Sequence, residues 1–209
     1  MKKIVTIFLL SIFSLCSIAQ SDAKSTAILN DIIKNINSFK SIKISFTNNV
    51  GSLKQKTQAS YNGTMWYKNG KYKLMVANQE IICDGKTSWT YLKDANEVQI
   101  NEISENQAFS PVKLFDGSLV KDFKSKFAGE LNELQTIELY PVTLNKSFSK
   151  VILTINKPKK QISKFTIYDK SGNIYTYTVK VFQANPPINE SLFTFNAKNY
   201  PGVEINDMR

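Results

Sequence analysis

Histidine is absent from this 209-residue chain. With it go the imidazole general base, the histidine metal ligand and the histidine pH switch. Arginine occurs once, as Arg209 at the terminus. The guanidinium forks that read bases and grip phosphates are therefore missing from the body of the chain. Cysteine occurs at Cys16 and Cys83. Cys16 falls in an amino-terminal leader, and loss of the leader leaves Cys83 alone, with no intrachain disulfide to form. Cys83 has no histidine or basic cluster to activate it, so it reads as a buried, inert thiol. No HExxH, GxSxG or glycine-rich phosphate loop occurs. Asp84, Asp94, Glu102 and Asp169 fall singly at turns or strand ends, as solvated or structural carboxylates do. Asp169-Lys170-Ser171-Gly172-Asn173 is too short, and interrupted by lysine, for a calcium loop. The expectation is a non-enzymatic protein with no catalytic residues, no cofactor and no metal site.

What is present is lysine. The formal net charge is +10, spread along the chain rather than massed. That describes a solvated basic surface with transient attraction to anionic membranes. Lys71-Tyr72-Lys73 and residues 175–180 interleave base and ring as single-strand nucleic-acid binders do, but an amphipathic sheet produces the same alternation, and no nucleic-acid partner is expected. Residues 1–20 form a secretory signal: Lys2-Lys3, an apolar stretch over 4–15, and a small-residue region Ser17-Ile18-Ala19-Gln20. The apolar run is shorter than the roughly 20 residues of a membrane-spanning helix. Leu15 before Cys16 argues against a lipid-attachment site. Cleavage after Ala19 or Gln20 removes two lysines and no acid, leaving about +8. Residues 21–209 then form a single exported domain.

The mature chain opens on an amphipathic helix over 25–39, with Ile28, Leu29, Ile32, Ile33, Ile36 and Phe39 at helical spacing. Ser25 or Thr26 can cap it, with Asp22 just before. Period-two patterns follow. Residues 41–50 set Ile42, Ile44 and Phe46 against Lys43, Ser45 and Thr47. Residues 58–67 set Tyr61, Met65 and Tyr67 against Asn62, Thr64 and Trp66. Asn69-Gly70 is a hairpin turn, and Tyr72, Leu74 and Val76 return. Residues 81–92 read as strand, Asp84-Gly85 turn and strand, with Lys86-Thr87 able to shift the turn by one. Trp89 and Tyr91 share one side of that second strand and Ser88, Thr90 and Leu92 the other. Residues 97–103 add a strand.

Residues 105–127 have lower β propensity. Segments 111–115 and 118–123 suit short helices, broken by Asp116-Gly117. The stretch reads as a cover over an apolar surface, either an ordinary crossover or a functional lid. Strands resume over 134–139, 150–155, 162–168, 174–182 and 191–195, and the tail over 200–205 is extended. Tyr175, Tyr177, Val179 and Val181 alternate with Thr176, Thr178 and Lys180. The fold class is mainly β with helices. About ten or eleven strands form a strongly curved antiparallel sheet, with the helix and the central segment closing its concave side. Such a sheet encloses an apolar cavity or a filled core.

Three motifs in this order carry a family resemblance: Gly63-Thr64-Met65-Trp66-Tyr67-Lys68, then Asp84-Gly85-Lys86-Thr87-Ser88-Trp89-Thr90-Tyr91, then Leu192-Phe193-Thr194-Phe195 followed by Gly202-Val203-Glu204. Over roughly residues 24–207 the chain resembles the periplasmic outer-membrane lipoprotein carrier family, LolA. Its lysine-rich style and Ala-Gln signal end look like a Bacteroidetes member. The resemblance implies an unclosed β-barrel with a helical lid, acting as a monomer. It implies acylated lipoproteins as cargo, an inner-membrane ABC exporter as donor and an outer-membrane acceptor. Burial of acyl chains at about 0.8 kcal/mol per CH₂ is the physical work such a carrier does. The implied ligand-binding residues are Phe46, Met65, Tyr67, Leu74, Trp89, Tyr91, Tyr175 and Tyr177 on the sheet, with Val112, Leu114, Phe115 and Leu119 on the lid. The opposite register would turn Trp66 inward instead. One departure stands out. The family pattern has an arginine, before a proline, that bonds to the lid, and Asn69-Gly70 occupies that place here. Either Lys68 or Lys71 substitutes, or lid control differs. The alternative function is periplasmic carriage of another lipid or hydrophobic metabolite by a related half-barrel.

Overall fold

The computed structural model describes residues 22–54, 58–103, 118–143 and 147–209. The leader, and Val112, Leu114 and Phe115 of the central segment, lie outside the described residues. Asp22 opens helix α1 (Ala23–Asn37). Its carboxylate accepts from the Ser25 backbone N–H at 2.7 Å and from the Phe127 N–H. The cap is therefore Asp22, not Ser25 or Thr26. Ser25 lies inside the helix, buried, sharing a 2.7 Å hydrogen bond with the Ser125 hydroxyl. An acidic residue satisfies orphan N–H groups and the helix dipole together. Leu29, Ile32 and Ile36 form the buried stripe, each contributing about 1.5–3 kcal/mol by burial. Phe39 lies beyond the helix and packs on Phe182, ring centroids 5.7 Å apart.

The stripe docks on one twelve-stranded sheet. The first six strands are β1 (Ile42–Ser52), β2 (Ala59–Lys68), β3 (Lys71–Val76), β4 (Gln79–Cys83), β5 (Thr87–Leu92) and β6 (Glu97–Glu102). A four-residue helix, α2 (Ser118–Lys121), precedes β7 (Phe123–Leu131). Then come β8 (Leu134–Pro141), β9 (Phe148–Asn156), β10 (Gln161–Asp169), β11 (Asn173–Ala184) and β12 (Glu204–Asp207). The spatial order is β12-β6-β5-β4-β3-β2-β1-β11-β10-β9-β8-β7. Two meanders are thus joined by the long β1–β11 pair, and β7 and β12 are the unjoined ends.

The sheet is curved, and α1 measures the curvature. From Ser25, bonded to β7, to Ile36, which shares a cavity with Met65 of β2, the helix advances about 17 Å. Along the sheet β7 and β2 are six strands apart, about 29 Å of arc. The helix is the chord of that arc and fills the concave side.

Four expectations change. Residues 123–131 form β7 rather than the end of a helical cover. Phe123, Ser125 and Phe127 face the core, but Lys124 and Lys126 dilute the pattern, and a bulge between Phe127 and Gly129 breaks its period. Residues 190–193 are a 3-10 turn, not a strand. The tail does pair, but β12 runs parallel to β6, because the chain from β11 crosses the outside of the sheet before reaching that edge. Finally, Gly85-Lys86 rather than Asp84-Gly85 makes the β4–β5 turn. Asp84 N–H bonds the Thr87 carbonyl at 3.2 Å, the Asp84 carboxylate accepts from Lys86 and Thr87 N–H, and Gly85 takes the positive φ of 97°.

Candidate functional site

Register divides the side chains between two faces. Ile44, Met65 and Leu74 are consecutive partners across β1, β2 and β3, and Phe165 and Tyr177 pair across β10 and β11. All belong to one buried cluster with the α1 stripe. The concave face is mainly apolar from β7 through β3. At β5 and β6 it turns polar, with Ser88 opposite Asn101 and Thr90 opposite Gln99.

Between α1 and this face lies an apolar cavity lined by Ile36, Ile44, Phe46, Met65, Gln161, Ile162, Phe165, Tyr177, Val179 and Phe182. Its volume is about 30 Å³, room for about two waters. An aromatic row forms its floor: Phe165 stacks on Tyr177 at 4.5 Å, and Tyr177 meets Phe46 at 5.6 Å. Burial pushes the Tyr177 phenol up to about 12, with the neighbouring Tyr175 adding to the shift. The ring therefore stays neutral and the site uncharged. Phe46 owes its place to Gly63, its partner on β2. A methyl on Gly63 would overlap the Phe46 ring and come within 2.9 Å of the Met75 carbonyl oxygen.

The convex face has its own cover. The chain beyond β11 crosses it with short 3-10 turns at Glu190–Phe193 and Ala197–Asn199. Phe193 is 1% exposed. Trp89 stacks on Phe195 at 6.3 Å and Tyr91 meets Tyr200 at 4.7 Å. Glu80, buried on this side, pairs with Lys73 at 2.6 Å and accepts from the Tyr200 hydroxyl. Burial, and then the bond to Glu80, raises the Tyr200 phenol well above its ordinary range.

Over residues 37–196 the sequence matches the family described as outer membrane lipoprotein carrier protein LolA. The chain belongs to the LolA family. It is 26% identical over 214 aligned positions to an outer-membrane lipoprotein carrier protein of Psychromonas ingrahamii, covering 100% of both chains. A carrier protein of the same description from Coxiella burnetii is 24% identical over 202 positions, covering 93% of this chain and 92% of that protein. A conserved protein of Thermus thermophilus superposes with a TM-score of 0.57 at 13% identity, covering 88% of this chain and 99% of that one, a likeness of fold.

In this LolA-family chain the ligand residues implied by the sequence separate into groups. Phe46, Met65 and Tyr177 line the cavity. Leu74, Tyr67 and Tyr175 belong to the apolar cluster around it without lining it. Trp89 and Tyr91 lie on the opposite face, against the tail, so placing them with the concave aromatics is corrected. Trp66 is on that convex face too, beside Lys73 and Tyr200. Leu119 falls in α2, and Val112, Leu114 and Phe115 lie outside the described residues.

Sequence reasoning missed Ile36, Ile44, Gln161, Ile162, Phe165, Val179 and Phe182 as lining. The α1 stripe and the Ile44–Phe46 alternation held the signal for two of them. Phe182 was hidden by a bulge. Register slips between Ser45 and Phe46, so Val179 pairs with Phe46 and Val181 with Ser45. Val181 then points outward, 49% exposed, and Phe182 inward, against the simple alternation. At the family's arginine position, Asn69 and Gly70 make the β2–β3 turn with φ of 49° and 80°. Lys68 and Lys71 flank that turn, and both bind Glu190, at 2.6 and 3.0 Å. Cys83 is fully buried in the core, and burial raises its thiol pKa. Among the described residues no group of three or more Cys, Asp or Glu is placed to hold a metal.

Proposed function

We propose that this protein is a monomeric periplasmic carrier that shields the acyl chains of lipoproteins against the concave face of its sheet. On this reading it takes them from an inner-membrane ABC exporter and passes them towards the outer membrane. It performs no covalent chemistry. The observation that carries the reading is the cavity itself: an uncharged floor of aromatic and branched side chains under an amphipathic helix. Family membership and the names of the Psychromonas and Coxiella relatives point the same way.

The energetics suit a carrier. Each methylene moved from water to this face gains about 0.8 kcal/mol, enough to hold a chain in an aqueous compartment. The cavity of about 30 Å³ is far smaller than an acyl chain. Loading therefore displaces α1 from the sheet, and the lost α1 contacts are subtracted from the gain. That subtraction keeps binding reversible, as hand-over requires.

The test uses two valines that the β11 bulge sends to opposite faces. Val179→Lys places a charge in the cavity wall, and Val181→Lys places one on the exposed outside. Recovery of acylated lipoprotein on the purified carrier should fall about tenfold or more in the first variant and stay at the wild-type level in the second. Non-acylated lipoprotein should be recovered on neither. Equal recovery of acylated and non-acylated cargo by the wild type would sink the proposal.

A further inference from the structure

One polar group on the concave face has no use in an apolar carrier. Asn48 follows Phe46 by two residues on β1 and faces the same way, opposite Tyr177 of β11 and Tyr61 of β2. It is 7% exposed, and its Oδ1 has no hydrogen-bond partner. Among the described residues it is the one buried side-chain atom in that condition. The strand neighbours on its face are Phe46 and Val50, and an apolar residue would continue the pattern. Asparagine is unfavourable in strands, and an unpaired buried amide is costly. A bound molecule with a matching group removes that cost.

Its position says where that molecule lies. The aromatic row Phe165–Tyr177–Phe46 runs along the cavity floor, and Asn48 adjoins it just outside the cavity lining, two residues along β1 from Phe46 and across from Tyr177. A hydrocarbon chain lying on the row passes beside Asn48, which meets the polar atoms of the chain's linkage. The chemistry says what those atoms are. The unpaired carboxamide oxygen needs a donor. The carbonyls of an acyl ester only accept, and a methylene offers nothing. A secondary amide offers an N–H, the donor that Oδ1 lacks.

We infer that Asn48 is the head-group residue of the acyl site and binds the secondary amide of an N-acyl chain, so that the cavity discriminates amide-linked from ester-linked chains. This rests on the acyl-carrier reading above. Asn48 supplies the selectivity and the aromatic floor supplies the affinity, and the two are separable.

The probes are N-palmitoylglycine and O-palmitoylglycolate, which share chain and carboxylate and differ by one N–H. Dissociation constants come from displacement of a bound fluorescent fatty acid by each probe on the purified protein. The wild type should bind the amide about tenfold more tightly than the ester. In Asn48→Leu, with Asn48→Val as the second variant, the two probes should bind equally, with ester affinity equal to or above wild type. A wild type without preference, or a preference that survives in both variants, overturns the inference and leaves the acyl-carrier reading standing. Failure of both probes to bind the wild type overturns that reading and the inference with it.

Discussion

Asp22 shows how one side chain ties two elements. It caps α1 and also accepts from Phe127 of β7. Partial burial alone would raise its pKa, but the bonds from Phe127 and Ser25 outweigh this and hold it below the ordinary 3.8. A depressed carboxylate stabilises the fold above its unfolded pKa, and that share is lost as pH falls through the lower, folded value. Asp22→Asn keeps a capping oxygen but cannot titrate. Urea unfolding followed from pH 5 to pH 2 should therefore show a shallower loss of stability in the variant below about pH 4. An unchanged slope would mean that Asp22 carries no part of the acid sensitivity. At this scale the sequence was legible in kind but not in detail. Asp22, Ser25 and Thr26 are all good caps by composition, and β7, which selects Asp22, was the strand that pattern reading missed.

Among the elements, hairpins were the easiest to read. Asn69-Gly70 and the alternations flanking it gave β2 and β3 nearly to the residue. What alternation does not state is which side is inside. On β5 the large rings, Trp89 and Tyr91, face the convex side and the small Ser88 and Thr90 the concave one. The usual inference from ring size inverts because the tail gives the outer face a core of its own. Phe193 anchors that tail, so Phe193→Ala should cost about 3–5 kcal/mol and loosen the cover. Tryptophan emission should shift to longer wavelength as Trp89 loses Phe195. Emission identical to wild type would show that the tail is held elsewhere. The tail was unreadable in advance because its ordering depends on a surface built more than a hundred residues earlier. The bulge that separates Val179 from Val181 belongs to the same class, since no local signal in β11 announces it.

For the molecule as a whole, the central question is whether loading moves α1. The Ser25 and Ser125 hydroxyls, 2.7 Å apart and buried, offer a means to hold it. With Ser25→Cys and Ser125→Cys together, a disulfide of ordinary geometry pins the start of α1 to β7. Cys83 is fully buried and should not compete. The oxidised protein should fail to take up acylated lipoprotein, and reduction should restore uptake. Full loading while oxidised would mean that the cavity widens without α1 leaving β7. Whole-molecule architecture was the level at which pattern reading went furthest: a strongly curved antiparallel sheet with an amphipathic helix on its concave side followed from alternation, turn spacing and one helical stripe, and the family resemblance added that it is unclosed.

The unjoined ends of the sheet bear on this directly. Strands β7 and β12 do not pair with each other, so the wall around α1 has a gap in its circumference. A closed barrel has a girth fixed by its strand number and shear, and widening it breaks a full ladder of backbone bonds. This wall can change its radius as a cupped hand does, by spreading its rim while every ladder stays intact. The work of making room for a guest then falls on side-chain packing alone, which rearranges at far lower cost than the backbone.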